Sequence, residues 1–180
     1  MPLKSSTHFA AVLKADAEPH TAASLEQLSF YIARAYYNFL ALLERTLDDT
    51  GLSGSLRPGM GLILQALYER DDLIIKDIAA RTQLTPSTLS GMLGKMKRAG
   101  LITLRKDAAD KRAVRVKLTI KGRSIERRFD RLNSIINGVL EAGLSDEEIH
   151  AAKSSLSRIV ANMRLEDQRR RAEAYASKRN

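Results

Sequence analysis

Between residues 84 and 139 the hydrophobic pattern changes period twice, and that constrains the fold more than any other feature of the chain. Up to Gly100 the apolar residues Leu89, Met92, Leu93 and Met96 recur at helical spacing, on a segment opened by Thr85 as cap and Pro86 at the first helical position. Ile102 and Leu104, then Val114, Val116 and Leu118 beyond a polar stretch, alternate as the residues on one face of a strand do. After Thr119, a second cap, helical spacing returns through Ile125, Phe129, Leu132, Ile136 and Val139. The pattern predicts a helix closed at Gly100 with Leu101 folded back on its last turn, a hairpin with a polar tip, and a long helix. A shorter helix near Lys76 to Thr82 offers Ile78 and Ala79 to the core. Only Gln83 and Leu84 link it to the next, which is the geometry of a helix-turn-helix.

Long amphipathic segments flank this middle. Residues 1–23 have no sustained period and read as an arm. Ser24 to Gln27 reads as a capping box, followed by a stripe of Leu25, Leu28, Ile32, Tyr36, Phe39, Leu43 and Leu47 that should stop near Gly51. Pro58 suits the first turn of a helix with Leu62, Ile63, Ala66 and Leu67 inward. A last helix opens on the capping box Ser145-Asp-Glu-Glu148 and carries Ile149, Ala152, Leu156, Ile159 and Met163, before a basic tail, 169–180, expected to fray. The fold class expected is mainly α with a small β-hairpin wing: a winged helix-turn-helix, about 56–119, within a domain 24–168 whose long helices, about 24–50 and 120–168, serve dimerisation. Their stripes exceed what one small unit can cover, so they must bury against each other or a second subunit.

Charge is concentrated in the same middle. The chain of 180 residues carries a net charge of +9, and between Lys76 and Arg131 there are 16 Lys and Arg against 5 Asp and Glu, so the rest is slightly acidic. Basic surface of that density attracts phosphate polyanions or anionic lipid. The sequence contains no cysteine, which excludes disulfides, thiolate nucleophiles and thiol redox sensing. With no apolar run of membrane-spanning length and no leader-like start, the expected location is cytoplasmic and no membrane partner is expected. Catalysis finds no support: Gly59-Met-Gly61 lacks a third glycine, and Gly91-Met-Leu-Gly-Lys95 has the wrong spacing for a nucleotide loop. His8 and His20 lie in the arm and His150 stands alone on the last helix, so neither a metal site nor a cofactor is expected.

A helix seated in the major groove of DNA must expose side chains that approach bases closely. Opposite its apolar stripe, the helix after Thr85 shows Ser87, Ser90, Gly91, Gly94 and Lys95, all small or basic. Each interior glycine costs about 1 kcal/mol relative to alanine, and close approach to a duplex supplies a reason for two of them. Lys106, Lys111 and Arg112 surround the hairpin tip, where an inserted guanidinium would meet the negative potential of the minor groove, with Asp110 placed to hold Arg112.

Three segments together resemble the MarR family (multiple antibiotic resistance regulators): Leu84 to Ile102 ending in Gly-Leu-Ile, Asp107-Ala-Ala-Asp-Lys-Arg112, and Val116-Lys-Leu-Thr-Ile-Lys-Gly122. Leu144-Ser-Asp-Glu-Glu148 is similar to the start of that family's final helix, and the resemblance runs from roughly Leu25 to Met163. It implies a non-enzymatic, two-fold homodimer that regulates transcription from a pseudo-palindromic site on double-stranded DNA. Thr85, Pro86, Ser87, Ser90 and Lys95 would then contact bases or phosphates, with Lys111 beside them at the wing, Arg112 in the minor groove and Asp110 orienting it. Gly91 and Gly94 depart from the long polar side chains frequent in the family, which favours shape readout and phosphate contacts. The resemblance also implies a small aromatic or lipophilic effector, for which Tyr36, Tyr37, Met60 and Leu64 are the candidate lining. The alternative is a ligand-insensitive architectural DNA-binding protein.

Overall fold

The computed structural model describes residues 26–177. The expected arm, the Ser24 cap and Leu25 lie outside the described residues. The fold is mainly helical with a small three-stranded antiparallel sheet, and it divides into one unit ending at Glu126 and another from Arg127 onward.

Helix α1 (Leu28–Asp49) opens the first unit, and it closes as Gly51 predicts. Gly51 takes φ 66°, and the N–H groups of Gly51 and Leu52 donate to the carbonyls of Asp48 and Leu47 at 3.0 and 2.8 Å. This satisfies the helix's last acceptors while burying Leu52 completely. Of the α1 stripe only Leu47 is buried; Leu28, Tyr36 and Phe39 stay exposed.

Helix α2 (Met60–Glu69) begins later than Pro58 suggested. Gly59 precedes it at φ 88°, a left-handed cap that puts Pro58 outside the first turn. A side chain at Gly59 would also stand 2.2 Å from the Met92 methyl. Leu62, expected inward, is 52% exposed, because the buried stripe runs through Met60, Ile63, Leu64, Ala66 and Leu67 and leaves Leu62 off it.

A two-residue strand, β1 (Leu73–Ile74), comes next, too short for alternation to reveal. Helices α3 (Ile75–Thr82) and α4 (Pro86–Arg98) form the helix-turn-helix, joined through Gln83 in the left-handed region at φ 56°. Strands β2 (Ile102–Lys106) and β3 (Val114–Leu118) make the hairpin, and the sheet order is β1-β3-β2. Ile102 pairs with Leu118 and Leu104 with Val116, so the alternating apolar residues share the face turned to the helices.

Thr119 joins these parts. Its backbone N–H donates to Leu101 O at 3.0 Å, its hydroxyl donates to Gly100 O at 2.6 Å, and the hydroxyl oxygen accepts the Gly122 N–H at 2.9 Å. That caps helix α5 (Ile120–Ser124), where a single long helix had been expected. A break at Ile125, buried to 1% exposure, separates α5 from α6 (Glu126–Glu141). In the second unit Phe129, Leu132 and Ile136 are buried as their spacing predicts, whereas Val139 is 55% exposed, one turn past the end of the buried stripe. Gly143 ends the segment at φ 78°.

Helix α7 (Asp146–Ser177) starts on the predicted capping box, with the Ser145 N–H donating to the Glu148 carboxylate at 2.8 Å and the Glu148 N–H to the Ser145 hydroxyl at 3.3 Å. The basic tail is ordered helix through Ser177, not a frayed end. Arg169 pairs with Glu166 and Glu173, Arg170 with Glu166, and Arg171 with Asp167, at the three- and four-residue spacings that support an exposed helix.

Gly122 sits where a Cβ would stand 2.2 Å from Leu101 O, and its own carbonyl accepts the Tyr68 hydroxyl at 2.8 Å. Gly122→Ala should therefore cost about 1–3 kcal/mol, since the obstacle is backbone and not a flexible chain end. Thermal unfolding followed by circular dichroism should show a melting temperature lower by several degrees; an unchanged value would contradict this packing.

Candidate nucleic-acid interface

The exposed side of α4 is assembled from its first turn. The Thr85 hydroxyl oxygen accepts the Thr88 N–H at 3.3 Å, and it lies 3.1 and 2.8 Å from the hydroxyls of Ser87 and Thr88. With Pro86 supplying no donor, the helix begins as a cluster of hydroxyls beside backbone N–H groups that have no intrahelical partner, a surface suited to phosphate. Ser87, Thr88, Ser90, Gly91 and Lys95 are exposed while Leu89, Leu93 and Met96 are buried, so the predicted reading face points outward. Thr88 was missed. A Cβ on Gly91 would meet nothing within 4 Å, so glycine there is not demanded by packing within the protein. Lys95, Lys97 and Arg98 crowd the last turn, where cations also answer the helix dipole.

The wing is held from inside by carboxylates. Asp107 accepts the N–H groups of Asp110 and Ala109 at 2.9 and 2.8 Å on one oxygen and the Arg115 Nε on the other. These bonds, from Asp110, Arg115 and Ala109 in that order of weight, pull its carboxyl down to about 2. Asp110 does not grip the Arg112 side chain as expected; it accepts the Arg112 backbone N–H at 2.9 Å and so shapes the turn. Arg112 and Lys111 are exposed at the tip, next to Asp110, and among the described residues neither forms an ion pair.

The sheet's other end carries two acids the sequence reading left out. Asp71 is pushed up by partial burial, but the N–H groups of Leu118 and Asp72 and the Arg123 guanidinium outweigh this, so its carboxyl lies below the ordinary range. Asp72, at φ 58°, pairs with Arg105 and lies 3.9 Å from Arg115. Lys121 donates to the Ala99 carbonyl at 2.8 Å at the close of α4. The basic residues thus fall into two groups. Arg105, Arg115, Arg123 and Lys121 are engaged within the unit, while Lys95, Lys106, Lys111 and Arg112 form no ion pair among the described residues.

The candidate ligand residues are not alike. Tyr36 and Tyr37 are exposed on α1, 5.5 Å apart edge to face, whereas Met60 and Leu64 are core residues of α2 at 3% and 0% exposure. No helix among the described residues is long and apolar enough to cross a membrane.

Residues 61–113, from α2 to the wing tip, match the model of the MarR family. The structure resembles that of BpsR from Bordetella bronchiseptica, at 25% identity and TM-score 0.66, over 79% of this chain and 97% of that one. It also resembles the PcaV transcriptional regulator from Streptomyces coelicolor, at 26% identity and TM-score 0.63, over 77% of this chain and 94% of that one. Over this segment the chain is similar to the MarR family of transcriptional regulators. Among curated relatives, the HTH-type transcriptional regulator TtmR of Methylorubrum extorquens (strain PA1) is 28% identical over 113 residues, 56% of this chain and 58% of TtmR, so the shared part spans a little over half of that protein. The family is not enzymatic, and the interface just described lies within the segment its model covers, apart from β3 and the residues after it.

A depressed Asp107 carboxyl contributes stability that is complete above its unfolded value near 3.8 and is lost as pH falls toward about 2. The protection of the Ala109 and Asp110 amides, measured as exchange relative to the intrinsic rate at each pH, should therefore fall between about pH 4 and pH 2. In Asp107→Asn, which keeps an acceptor for both amides but loses the carboxylate for Arg115, that acid step should disappear. A wild-type wing equally protected at both ends of the range would contradict the assignment.

Proposed function

We propose that the protein regulates transcription as a homodimer on a pseudo-palindromic site in double-stranded DNA, each subunit placing α4 in a major groove and its wing tip in the neighbouring minor groove. The observation that carries this is the sorting of cations: stem arginines are neutralised by internal carboxylates, while Lys95 on α4 and Lys111 and Arg112 at the tip face solvent and form no ion pair among the described residues. Thr85, Pro86, Ser87 and Ser90 position the helix on phosphates and base edges, Arg112 enters the minor groove, and Asp110 fixes the turn that presents it.

A second copy of the chain is the partner that the terminal helices call for. Among its 32 residues α7 buries none, and Leu156, Val160, Met163 and Leu165 stand exposed along it. Substituting aspartate at both Leu156 and Met163, seven residues apart on one face, should convert the dimer to monomer in sedimentation velocity without loss of the first unit's helical signal. A dimer that survives would place the subunit contact elsewhere.

DNA binding by BpsR is regulated by 6-hydroxynicotinic acid, and PcaV has been solved with its natural ligand. By that likeness we assign this protein a small aromatic or lipophilic effector, met first by Tyr36 and Tyr37. Met60 and Leu64 would line the site only after moving, because both are packed in the core.

The ligand-insensitive architectural reading is favoured by one observation, the open space around Gly91, where no side chain reaches toward a base. Fluorescence anisotropy with a duplex enriched from a random-sequence pool separates the two. A regulator should prefer its enriched sequence by about 10³-fold or more over random duplex at physiological salt. Arg112→Ala should weaken it by about tenfold with the dimer intact, and Lys95→Ala should lower the salt slope by about one. Equal affinity for all duplexes, unmoved by aromatic carboxylates, would favour the architectural reading; no duplex affinity at low salt would overturn both.

A further inference from the structure

The hairpin register sets Arg105 directly across from Arg115, so two guanidinium groups stand on neighbouring strands on the same face of the sheet. Like charges in that relation repel and open a hairpin unless something compensates them. Asp72, in the turn that leads into β1, supplies the compensation. Its carboxylate takes Arg105 Nη2 at 2.5 Å and lies 3.9 Å from Arg115 Nη1, and its carbonyl accepts the same Nη1 at 2.5 Å. Arg115 in turn reaches Asp107 at the base of the wing tip, so a chain of charge runs Asp72, Arg115, Asp107 from the turn before β1 to the wing.

The turn alone does not require this residue. A position at φ 58° is served by glycine or asparagine, and aspartate there also leaves its Oδ1 buried without a hydrogen-bond partner. The carboxylate's contribution is therefore its charge. We propose that Asp72 is a specificity-determining positioning residue: it keeps Arg105 folded along the stem beside Arg115, which aims the wing and withholds a cation from the phosphate backbone. Without it Arg105 swings free while Arg115 stays held by Asp107, the tip loses part of its fixed direction, and duplexes of any sequence gain a phosphate contact that carries no sequence information. This rests on the DNA-binding function proposed above.

Asp72→Asn is the test, because asparagine keeps the left-handed turn and removes only the charge. The probes are the duplex enriched by the wild-type protein and a random duplex of equal length, with Asp49→Asn, exposed on α1, as control for the loss of one negative charge on the same unit. For Asp72→Asn the preference for the enriched duplex should fall about tenfold, and the salt slope on random duplex should steepen by about one. Asp49→Asn should leave the preference unchanged. Equal weakening on both duplexes with an unchanged slope would make Asp72 merely structural, and an unchanged preference would remove its role in specificity; either overturns the inference while leaving the DNA-binding function standing. A wild-type protein that enriches no sequence would instead overturn the function, and the inference with it.

Discussion

The structure depends on the hydroxyl of Thr119 more than on any other single group. It closes α4 through the Gly100 carbonyl and opens α5 through the Gly122 amide, while the Thr119 backbone N–H ties the end of β3 to Leu101 at the start of β2. A recognition helix and a wing are useful only if their relative direction is fixed, because each must meet its own groove at once. Here that direction passes through a few atoms around Thr119 and through a glycine, Gly122, that lets the two backbones touch. Both ends of α4 are also defined locally, by Thr85 at the start and by Gly100 at φ 71° at the close.

Upon that frame electrostatics does a sorting job. Hydrogen bonds and neighbouring guanidinium groups hold Asp71 and Asp107 ionised against the cost of burial, and these two with Asp72 pair with Arg123, Arg115 and Arg105. A high net charge is therefore not spread evenly over the unit. The stem arginines are paired, while among the described residues the cations on the outer side of α4 and at the wing tip form no ion pair, the arrangement the proposed contact with a polyanion needs.

Much of this was legible in the residues. The caps Thr85, Thr119 and Ser145, the helix ends at Gly51 and Gly100, and the alternation of the hairpin follow from local rules that tertiary contacts did not overrule. The outward face of α4 was legible for the same reason, since its apolar stripe fixes which side is buried. What the sequence hid are interactions between segments far apart along the chain. Nothing local marks Asp71 and Asp72 until folding brings them to Leu118, Arg105 and Arg123, between 33 and 52 positions away. Arg115 read as one more cation, although its place across from Arg105 in the hairpin was a signal that some acid must come between them. Leu62 and Val139 were expected inside because helical spacing alone does not say where a buried stripe begins or ends. The tail from Arg169 looked like a basic end; the carboxylates one turn away make it a helix.

The central claim is geometric: two copies of one rigid helix-and-wing surface address successive turns of a duplex. Hydroxyl-radical footprinting of the enriched duplex measures that directly. The account predicts two protected blocks related by two-fold symmetry, their centres about one helical turn of 10 base pairs apart, each flanked by protection where a wing tip lies in the minor groove. A single asymmetric block, or uniform protection spreading along the duplex, would contradict it.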